Sequence, residues 1–341
     1  MKKYISYLLP LIAIALFSTE AISQKVGSTS MQFLKVMPVA RATAMGDAYS
    51  VLASGADAVF WNPAGVAHTD NSEMSLTYIK WLFDTQQGAM SYAVNFEHFG
   101  SIGLQLQYVD FGEIEEALWT SPYKDDTGYP GLTGRTFRPF TYLVGATYAS
   151  QITEKFSTGL SVKYVHESLY DGSTHQALTS RGDTVNVNTW ANGLMFDFGL
   201  QYNTGFRSIR IAASVQNFGA NVQYAGEGNS IPLALRVGIA ADVIGANGLY
   251  LSSENNRLTF AFDLFQPNDY AQQAHVGMEY EFEQTLSLRA GYKLNYDADG
   301  FTAGVGFQHQ SGPARLVVDY SYGKMSYDLG NVHRISLGVK F

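Results

Sequence analysis

Seven histidines are the residues of this chain best suited to exchange protons or bind a metal near neutral pH. None of them belongs to an HExxH or H-x-H pair, and the sequence has no G-x-S-x-G nucleophile elbow. A Ser/His or Asp/His set assembled in space stays open as an alternative, but the spacing predicts no enzyme. We expect most of these side chains at turns or on polar walls: His68, His98, His166, His175, His275, His309 and His333.

Two short acidic runs and the absence of cysteine also bear on cofactors. Asp297-Ala298-Asp299-Gly300 resembles the start of a calcium loop, but it lacks the later ligands and the closing Glu. Because Asp-Gly favours the positive φ of a tight turn, we expect a hairpin there. The run 124–128 is expected to be a solvated loop. With no Cys, a disulfide framework, a thiolate zinc site and a lipid-anchoring cysteine are excluded, and we expect no cofactor or metal.

The composition narrows the class of protein. The chain has 341 residues, of which 46% are hydrophobic, 14% aromatic and only 15% charged, against about 25% charged in soluble proteins. Its mean hydropathy of -0.07 and the lack of long apolar runs beyond the N-terminus exclude a polytopic helical membrane protein. A net charge of -8 argues against a nucleic-acid partner.

The N-terminus has the pattern of an export signal. Lys2 and Lys3 precede an apolar stretch from Ile5 to Phe17, and Ala21-Ile22-Ser23 fits a small-x-small cleavage site. We therefore predict a signal peptide over residues 1–23 and an exported mature protein.

From residue 72 onward, apolar and polar residues alternate with a period of two, which is typical of strands with one apolar and one polar face. The length of these segments suits tilted membrane strands of about 9–11 residues. We predict an all-β fold, a 14-stranded antiparallel transmembrane β-barrel over residues 71–341; a soluble all-β exported protein is the alternative. The segments lie near 72–80, 87–97, 101–110, 139–150, 155–167, 192–204, 207–217, 233–243, 256–265, 272–282, 285–295, 300–310, 314–323 and 331–341.

The connections alternate between short and long, as in outer-membrane barrels, whose periplasmic turns are short and outer loops long. Long connections over about 111–138, 168–191 and 218–232 fall on one side, and the one after the eighth segment is the exception. We expect an integral outer-membrane protein with both termini in the periplasm. Charges within strands fall mostly on the face opposite the apolar one: Glu97, Lys163, Asp197, Arg210, Arg236, Asp242, Asp263, Glu279, Arg289, Lys293 and Asp319.

The last strand ends in Phe341, an aromatic terminus of the type that outer-membrane assembly machinery reads. We therefore expect Phe341 to serve as an assembly signal. The expected surroundings are outer-membrane lipids and, during biogenesis, the barrel-assembly machinery.

Residues 24–70 do not alternate. Small residues from Pro38 to Ala53 predict a compact helix, and 57–61 predicts one further turn. Asn62-Pro63 predicts the start of a short helix to about Ala67, since Asn is a good N-cap and Pro suits the first helical position. A barrel of fourteen strands has room in its lumen, so we predict that 24–70 is a plug there; a periplasmic extension is the alternative.

Charges and glycines of the barrel are expected to receive this plug. Arg41, Asp47 and Asp57 would pair with charges on the lumen wall. Glycines on the inner face would let the plug backbone approach the wall or relieve strand curvature. These are Gly145, Gly159, Gly199, Gly238, Gly277, Gly291, Gly304, Gly306 and Gly338.

Several motifs between residues 31 and 67 resemble the N-terminal signature of the PorV/PorQ family. They are Met31-Gln32-Phe33-Leu34, Ala40-Arg41-Ala42, Met45-Gly46-Asp47-Ala48 and Phe60-Trp61-Asn62-Pro63-Ala64-Gly65. That family is similar to the FadL long-chain fatty-acid transporters, which share the Asn-Pro-Ala motif. The resemblance implies a fourteen-stranded barrel with a lumenal plug, or hatch. On its residues, the expected plug motif is Arg41, Gly46, Asp47, Trp61, Asn62, Pro63 and Gly65.

Two functions follow from the resemblance. The first is a non-enzymatic binding or scaffolding component in type IX-like protein secretion, with secretion-system proteins as partners. The second is passive uptake of long-chain fatty acids or other hydrophobic ligands. In either case the aromatic side chains of the first long loop form a candidate capture or docking surface, unless they pack among the loops as a lid. These side chains are Trp119, Tyr123, Tyr129 and Phe137.

Overall fold

The chain folds as a closed antiparallel barrel around an internal N-terminal segment. No helix in the described part of the chain is long and apolar enough to cross a membrane. The structure, a computed structural model, describes residues 27–118, 131–170, 174–178, 183–226 and 228–341. The predicted signal peptide therefore lies outside the described residues.

Fourteen strands form the barrel wall, and each pairs with its neighbours in the sequence. The first and last strands also pair, so the sheet closes. The prediction of a 14-stranded antiparallel barrel is confirmed, with most strand ends within two residues of the predicted ones. The strands are β1 Ser72–Lys80, β2 Gln86–Phe96, β3 Gly100–Asp110, β4 Phe140–Thr153, β5 Phe156–Ser168, β6 Trp190–Asn203, β7 Arg210–Gly219, β8 Ala234–Gly245, β9 Asn256–Pro267, β10 Gln273–Phe282, β11 Leu286–Leu294, β12 Asp299–Ser311, β13 Ala314–Met325 and β14 Asn331–Lys340.

The predicted alternation corresponds to the two faces of the wall. In β14, Ile335 and Leu337 are exposed on the outside, whereas Arg334 and Ser336 are buried in the lumen. The same holds in β11, where Leu288 faces out. The wall alone would leave these inward-facing polar side chains open to the solvent of the lumen. Their burial requires material inside the barrel, and the N-terminal segment supplies it.

The two ends of the barrel differ in their connections. One end carries short turns, together with the ten-residue connection 246–255 that was predicted as the exception. We call it the short-turn end. The other, the long-loop end, carries three two-stranded hairpins beyond the wall. They are Ile114–Leu118 with Gly131–Phe137, Thr174–Leu178 with Thr184–Asn188, and Val222–Gln223 with Gly228–Asn229.

The described chain begins and ends at opposite ends of the barrel. Near its start, the Ser30 amide donates to the carbonyl oxygen of Ser230, at the long-loop end. The Phe341 amide donates to the carbonyl oxygen of Ser72, at the short-turn end. The N-terminus itself lies outside the described residues, so its predicted position stays a prediction.

Residues 29–69 form the plug, which descends through the lumen from the long-loop end. It contains two short α-helices, α1 (Ala40–Ala44) and α2 (Ala58–Trp61), and 3-10 turns at Gln32–Lys35, Gly55–Asp57 and Pro63–His68. The predicted helix from Pro38 to Ala53 is wrong, because helical structure ends after Ala44. Gly46 and Asp47 have φ values of 63° and 67°, and a left-handed backbone cannot continue a right-handed helix.

Candidate functional site

A chain of buried charges fixes α1 to the wall. Arg41 forms two hydrogen bonds with the Glu279 carboxylate of β10, Nη2 to Oε1 at 2.7 Å and Nε to Oε2 at 2.9 Å. Arg289 of β11 donates from Nε to Glu279 at 2.5 Å and from Nη1 to Asp319 of β13 at 2.6 Å. Such forked, charge-assisted contacts fix orientation as well as position. Burial opposes the charge of Arg41, but the Glu279 carboxylate raises the pKa of its guanidinium well above the usual value.

A second ion pair holds the turn after α1. The Lys293 Nζ atom of β11 lies 2.8 Å from Oδ2 of Asp47, and both side chains are buried. Burial alone would raise the pKa of the Asp47 carboxyl, but Lys293 outweighs it and the pKa is lowered. Two plug charges that the sequence predicted to pair with the wall, Arg41 and Asp47, therefore do so.

The third predicted pair, that of Asp57, is a correction. Asp57 forms no ion pair with a wall cation among the described residues, and its Oδ1 atom has no hydrogen-bond partner there. Burial raises the pKa of its carboxyl to about 6. Asp57 is the plug residue immediately before α2. It lies near Glu73 and Asp319, whose like charges also disfavour ionisation of its carboxyl.

The Asn62-Pro63-Ala64-Gly65 motif connects the lower plug to the wall. The Asn62 Oδ1 atom accepts from the Ala64 amide at 3.1 Å, which is the predicted N-cap, and Pro63 begins the 3-10 turn. The Asn62 Nδ2 atom donates to the carbonyl oxygens of Ser50 at 3.1 Å and Leu200 at 3.2 Å. One side chain thus joins two plug segments and strand β6.

Trp61, the last residue of α2, is fully buried in the lumen. The Arg236 guanidinium of β8 lies 5.1 Å from the Trp61 ring and 4.2 Å from that of Phe265, within the range of cation–π attraction. Gln216 of β7 donates from Nε2 to the carbonyl oxygen of Trp61 at 3.0 Å. These contacts give Trp61 a packing role in the plug.

Glycines of the wall make space for the plug backbone. A Cβ atom on Gly291 would lie 2.1 Å from the Gly46 amide nitrogen, and one on Gly159 would lie 2.4 Å from the Pro63 carbonyl carbon. Within the plug, a Cβ on Gly65 would lie 2.2 Å from the Ala53 carbonyl oxygen. Of the two explanations left open for the wall glycines, close approach of the plug therefore holds at these positions.

The upper lumen is filled by apolar side chains. Met31, Phe33 and Leu34 of the plug pack with Val222 and Ile231, which come from the segment between β7 and β8. The wall contributes Val109, Leu143, Val165, Ala191 and Met195. Apolar side chains of the plug therefore fill the lumen between the plug backbone and these wall strands.

Of the predicted docking surface, Phe137 is the residue that the structure describes, and its ring packs against another loop residue. The Phe137 ring stacks on that of Tyr170, with centroids 4.4 Å apart, so one hairpin contacts the start of the next loop. Trp119, Tyr123 and Tyr129 lie outside the described residues. Among the described residues, the long-loop end carries the exposed apolar side chains of Ile114, Leu132, Leu169 and Val185.

Sequence reasoning did not predict several wall residues that contact the plug. The Asp263 Oδ2 atom accepts the amides of Tyr49 at 3.1 Å and Ser50 at 2.9 Å. The Gln201 Nε2 atom donates to the Ala53 carbonyl oxygen at 2.9 Å. The strand register places both on the polar face, which was the available signal, but no sequence spacing indicates a partner in the plug backbone.

This architecture defines a β-barrel with an internal plug that is tied to its wall by ion pairs and backbone hydrogen bonds. The model of the family described as "Type IX secretion system protein PorV" matches residues 19–264. The chain belongs to this PorV family, and it is an outer-membrane barrel. A comparison with curated protein sequences gives no match.

Solved structures with the same fold include hydrocarbon channels and a FadL homologue. The Pseudomonas putida toluene transporter TodX is 14% identical, with a TM-score of 0.55 over 87% of this chain and 95% of that one. The monoaromatic hydrocarbon channel CymD is 13% identical, with a TM-score of 0.55 over 90% and 98%. A Pseudomonas aeruginosa FadL homologue is 12% identical, with a TM-score of 0.50 over 89% and 99%. At such identities the likeness shows the fold alone, and neither group is an enzyme family.

Proposed function

We propose that this barrel is a non-enzymatic binding component of a type IX secretion system, and that it engages other proteins at its long-loop end. Membership of the PorV family supports the secretion context. The single observation that carries the proposal within the structure is the tied plug. Ion pairs to Glu279 and Lys293 and backbone contact with Gly291 hold it in the lumen.

An uptake channel requires an apolar passage that a hydrophobic molecule can enter. In the described residues, plug side chains such as Phe33 and Leu34 occupy the apolar part of the lumen. Farther down, buried ions and hydrogen-bonded amides face the plug, and they would oppose transfer of an apolar molecule. The lumen therefore favours a barrel that binds partners on its surface, with hydrophobic uptake as the function to be tested against it.

The hairpins at the long-loop end supply the proposed docking surface. The Glu116 carboxylate accepts from Arg135 Nε at 3.1 Å and from Thr133 Oγ1 at 2.6 Å, and it also accepts from Tyr170. This network braces the first hairpin, while Ile114 and Val185 present apolar side chains to solvent. A braced surface with exposed apolar residues suits protein partners. Trp119, Tyr123 and Tyr129 would extend it.

The orientation belongs to the same proposal. Short turns are periplasmic in barrels of this kind, so the C-terminal Phe341 would lie in the periplasm and the hairpins outside the cell. Phe341 would be the residue that the barrel-assembly machinery recognises. Outer-membrane lipids would cover the apolar outer face.

Complementation of a gene-deletion strain tests the function. We expect the deletion to retain secreted proteins in the periplasm and the wild-type gene to restore their export. A variant with Ile114→Asp and Val185→Asp should assemble normally but fail to restore export. Phe83→Asp, which changes an exposed apolar residue of the same end between β1 and β2, is the matched control and should restore it.

Two results contradict the proposal in different ways. If the hairpin variant restores export as well as Phe83→Asp does, the docking surface is wrong. If the deletion leaves export intact but abolishes uptake of a radiolabelled fatty acid or toluene, the barrel is an uptake channel.

A further inference from the structure

Two adjoining cavities lie inside the barrel at the short-turn end, between the plug and the wall. Their volumes are about 360 and 390 Å³, and both are lined by Arg41, Ser54 and Arg257. We call the two together the vestibule. Its rim is formed by the turn at Glu154 and Lys155 and by the connection 246–255.

Four ion pairs around the vestibule share one asymmetry, in that the cation is more exposed than its carboxylate partner. Arg289, which pairs with Glu279 and Asp319, is itself buried and does not follow it. Cationic groups therefore face the water of the cavities. The exposed fractions of cation and carboxylate are 41% and 11% for Arg257–Glu281, 33% and 19% for Arg210–Asp242, 23% and 1% for Arg41–Glu279, and 37% and 6% for Lys340–Glu73.

Further cations line the vestibule without a carboxylate partner. Lys155 and Arg315 form no ion pair among the described residues; the Arg315 Nε atom donates only to Gln310 Oε1, at 3.4 Å. The buried Nε atom of Arg257, which lines both cavities, has no acceptor in the described part of the chain. The carboxylates that line the vestibule outside these pairs are Glu154 and Glu254, at its exposed rim, and Asp57 of the plug.

A concave site whose accessible charges are mostly of one sign concentrates ligands of the opposite sign. Seven cations and six carboxylates line the vestibule, but the carboxylates of Glu279, Glu281 and Asp319 are buried. The accessible charge is therefore cationic, in a protein whose net charge is -8. Guanidinium groups match the geometry of carboxylates through paired N–H donors. The cations are distributed over both cavities, which suits several carboxylates along one extended ligand better than a single small anion.

We infer that the vestibule binds a carboxylate-rich, extended peptide segment of a partner that approaches from the short-turn side. A lipid headgroup fits less well, because the cavities open inside the lumen and the wall separates them from the bilayer. The vestibule lies at the end opposite to the proposed docking hairpins. If the peptide does not bind but the protein still supports export, the vestibule proposal is wrong and the proposed function is unaffected.

Fluorescence anisotropy on the purified full-length protein in non-ionic detergent tests the site. The probe is a fluorescein-labelled ten-residue peptide of alternating Asp and Gly, with an Asn/Gly peptide of the same length as its neutral counterpart. We expect the Asp peptide alone to bind, and high salt to weaken its binding.

Variants at unpaired cations avoid disturbing the fold. Lys155→Gln with Arg315→Gln should weaken binding on the order of tenfold, through loss of two attractive charges. Lys80→Gln with Lys324→Gln removes two cations of the long-loop end that also form no ion pair among the described residues, and it should leave binding unchanged. Glu254→Gln removes a rim carboxylate and should tighten binding.

The inference is overturned if the Asn and Asp peptides bind alike, or if neither binds. It is also overturned if the long-loop variant loses as much affinity as the vestibule variant. Inorganic tripolyphosphate tests whether the vestibule recognises peptide carboxylates in particular or any anion. If it displaces the peptide at an equal concentration of charge, the vestibule is a general anion site and the assignment to peptide carboxylates is wrong.

Discussion

The ion pair between Asp47 and Lys293 offers the sharpest test of the plug. Lys293→Met keeps a side chain of similar length but removes the ammonium group 2.8 Å from Asp47 Oδ2. Asp47 then holds a buried carboxylate without its cation, and its Oδ1 atom already lacks a hydrogen-bond partner among the described residues. We expect the plug to leave the wall at this turn.

The size of the effect follows from the burial of the pair. The side chains of Lys293 and Asp47 are only 10% and 8% exposed. Removing one partner of such a pair costs about 3–5 kcal/mol. At about 1.4 kcal/mol per decade, the ratio of undocked to docked plug should rise by about two to three and a half orders of magnitude.

A second substitution distinguishes loss of the ion-pair attraction from the cost of leaving the Asp47 carboxylate buried without a cation. Asp47→Asn in the Lys293→Met background removes the buried carboxylate, and replacing both members of a buried pair by uncharged groups is often neutral. Asn also tolerates the left-handed φ of 67° at this position. The double variant should therefore recover most of the docking that the single variant loses.

Single-channel conductance in planar bilayers measures docking directly, because an undocked plug admits ions to the lumen. The heat-dependent gel shift of folded barrels provides the control that each variant has an intact wall. Equal leakage from the single and double variants would refute the electrostatic reasoning, since the stranded charge would then contribute nothing. A sealed Lys293→Met barrel would refute the role of the pair altogether.

Three further predictions concern the same plug and use the same conductance assay. Gly291→Val should open the barrel, because its Cβ would overlap the Gly46 backbone, whereas Gly338→Ala meets its nearest neighbour at an ordinary 3.5 Å and should stay sealed. Asn62→Ala should raise leakage by about one to two orders of magnitude, through loss of a cap worth about 1 kcal/mol and of buried hydrogen bonds to two carbonyl groups. For Asp57, the docked pKa of about 6 exceeds the ordinary value of 3.8, so the docked state binds an extra proton between them and docking weakens as the pH rises from 4 to 6. Asp57→Asn should flatten this pH dependence; an unchanged profile would show that another group causes it.

The barrel wall could be predicted from the sequence because the alternation of apolar and polar residues is visible within each strand. Every membrane strand alternates, so Leu286 to Leu294 or Ile335 to Phe341 each carry the pattern independently of their neighbours. Loop lengths then order the strands into one closed sheet. The first hairpin, at Ile114–Leu118, was missed as strand because the hairpin residues outside the membrane have no apolar face to maintain.

The path of the plug could not be predicted in the same way. Small residues from Ala40 to Ala53 have high helix propensity on average, yet helix ends at Ala44. What the small side chains provide is close approach. The plug backbone packs on Gly277 and Gly291, where a Cβ would lie 2.4 Å from the Met45 carbonyl oxygen and 2.1 Å from the Gly46 amide nitrogen. Tertiary contact thus overrides local propensity, and a single sequence does not record which wall residue the plug will meet.

Arg41 connects the attachment of the plug with the vestibule. It is the cation that ties α1 to Glu279, and it also lines both cavities of the vestibule. A carboxylate that enters the vestibule can therefore compete with Glu279 for the same guanidinium group. Because coupling between two equilibria is reciprocal, a ligand that loosens this contact must bind more tightly to a barrel whose plug is already loosened. The side chain that holds the plug in place is thus also the one through which a ligand at the short-turn end would act on it.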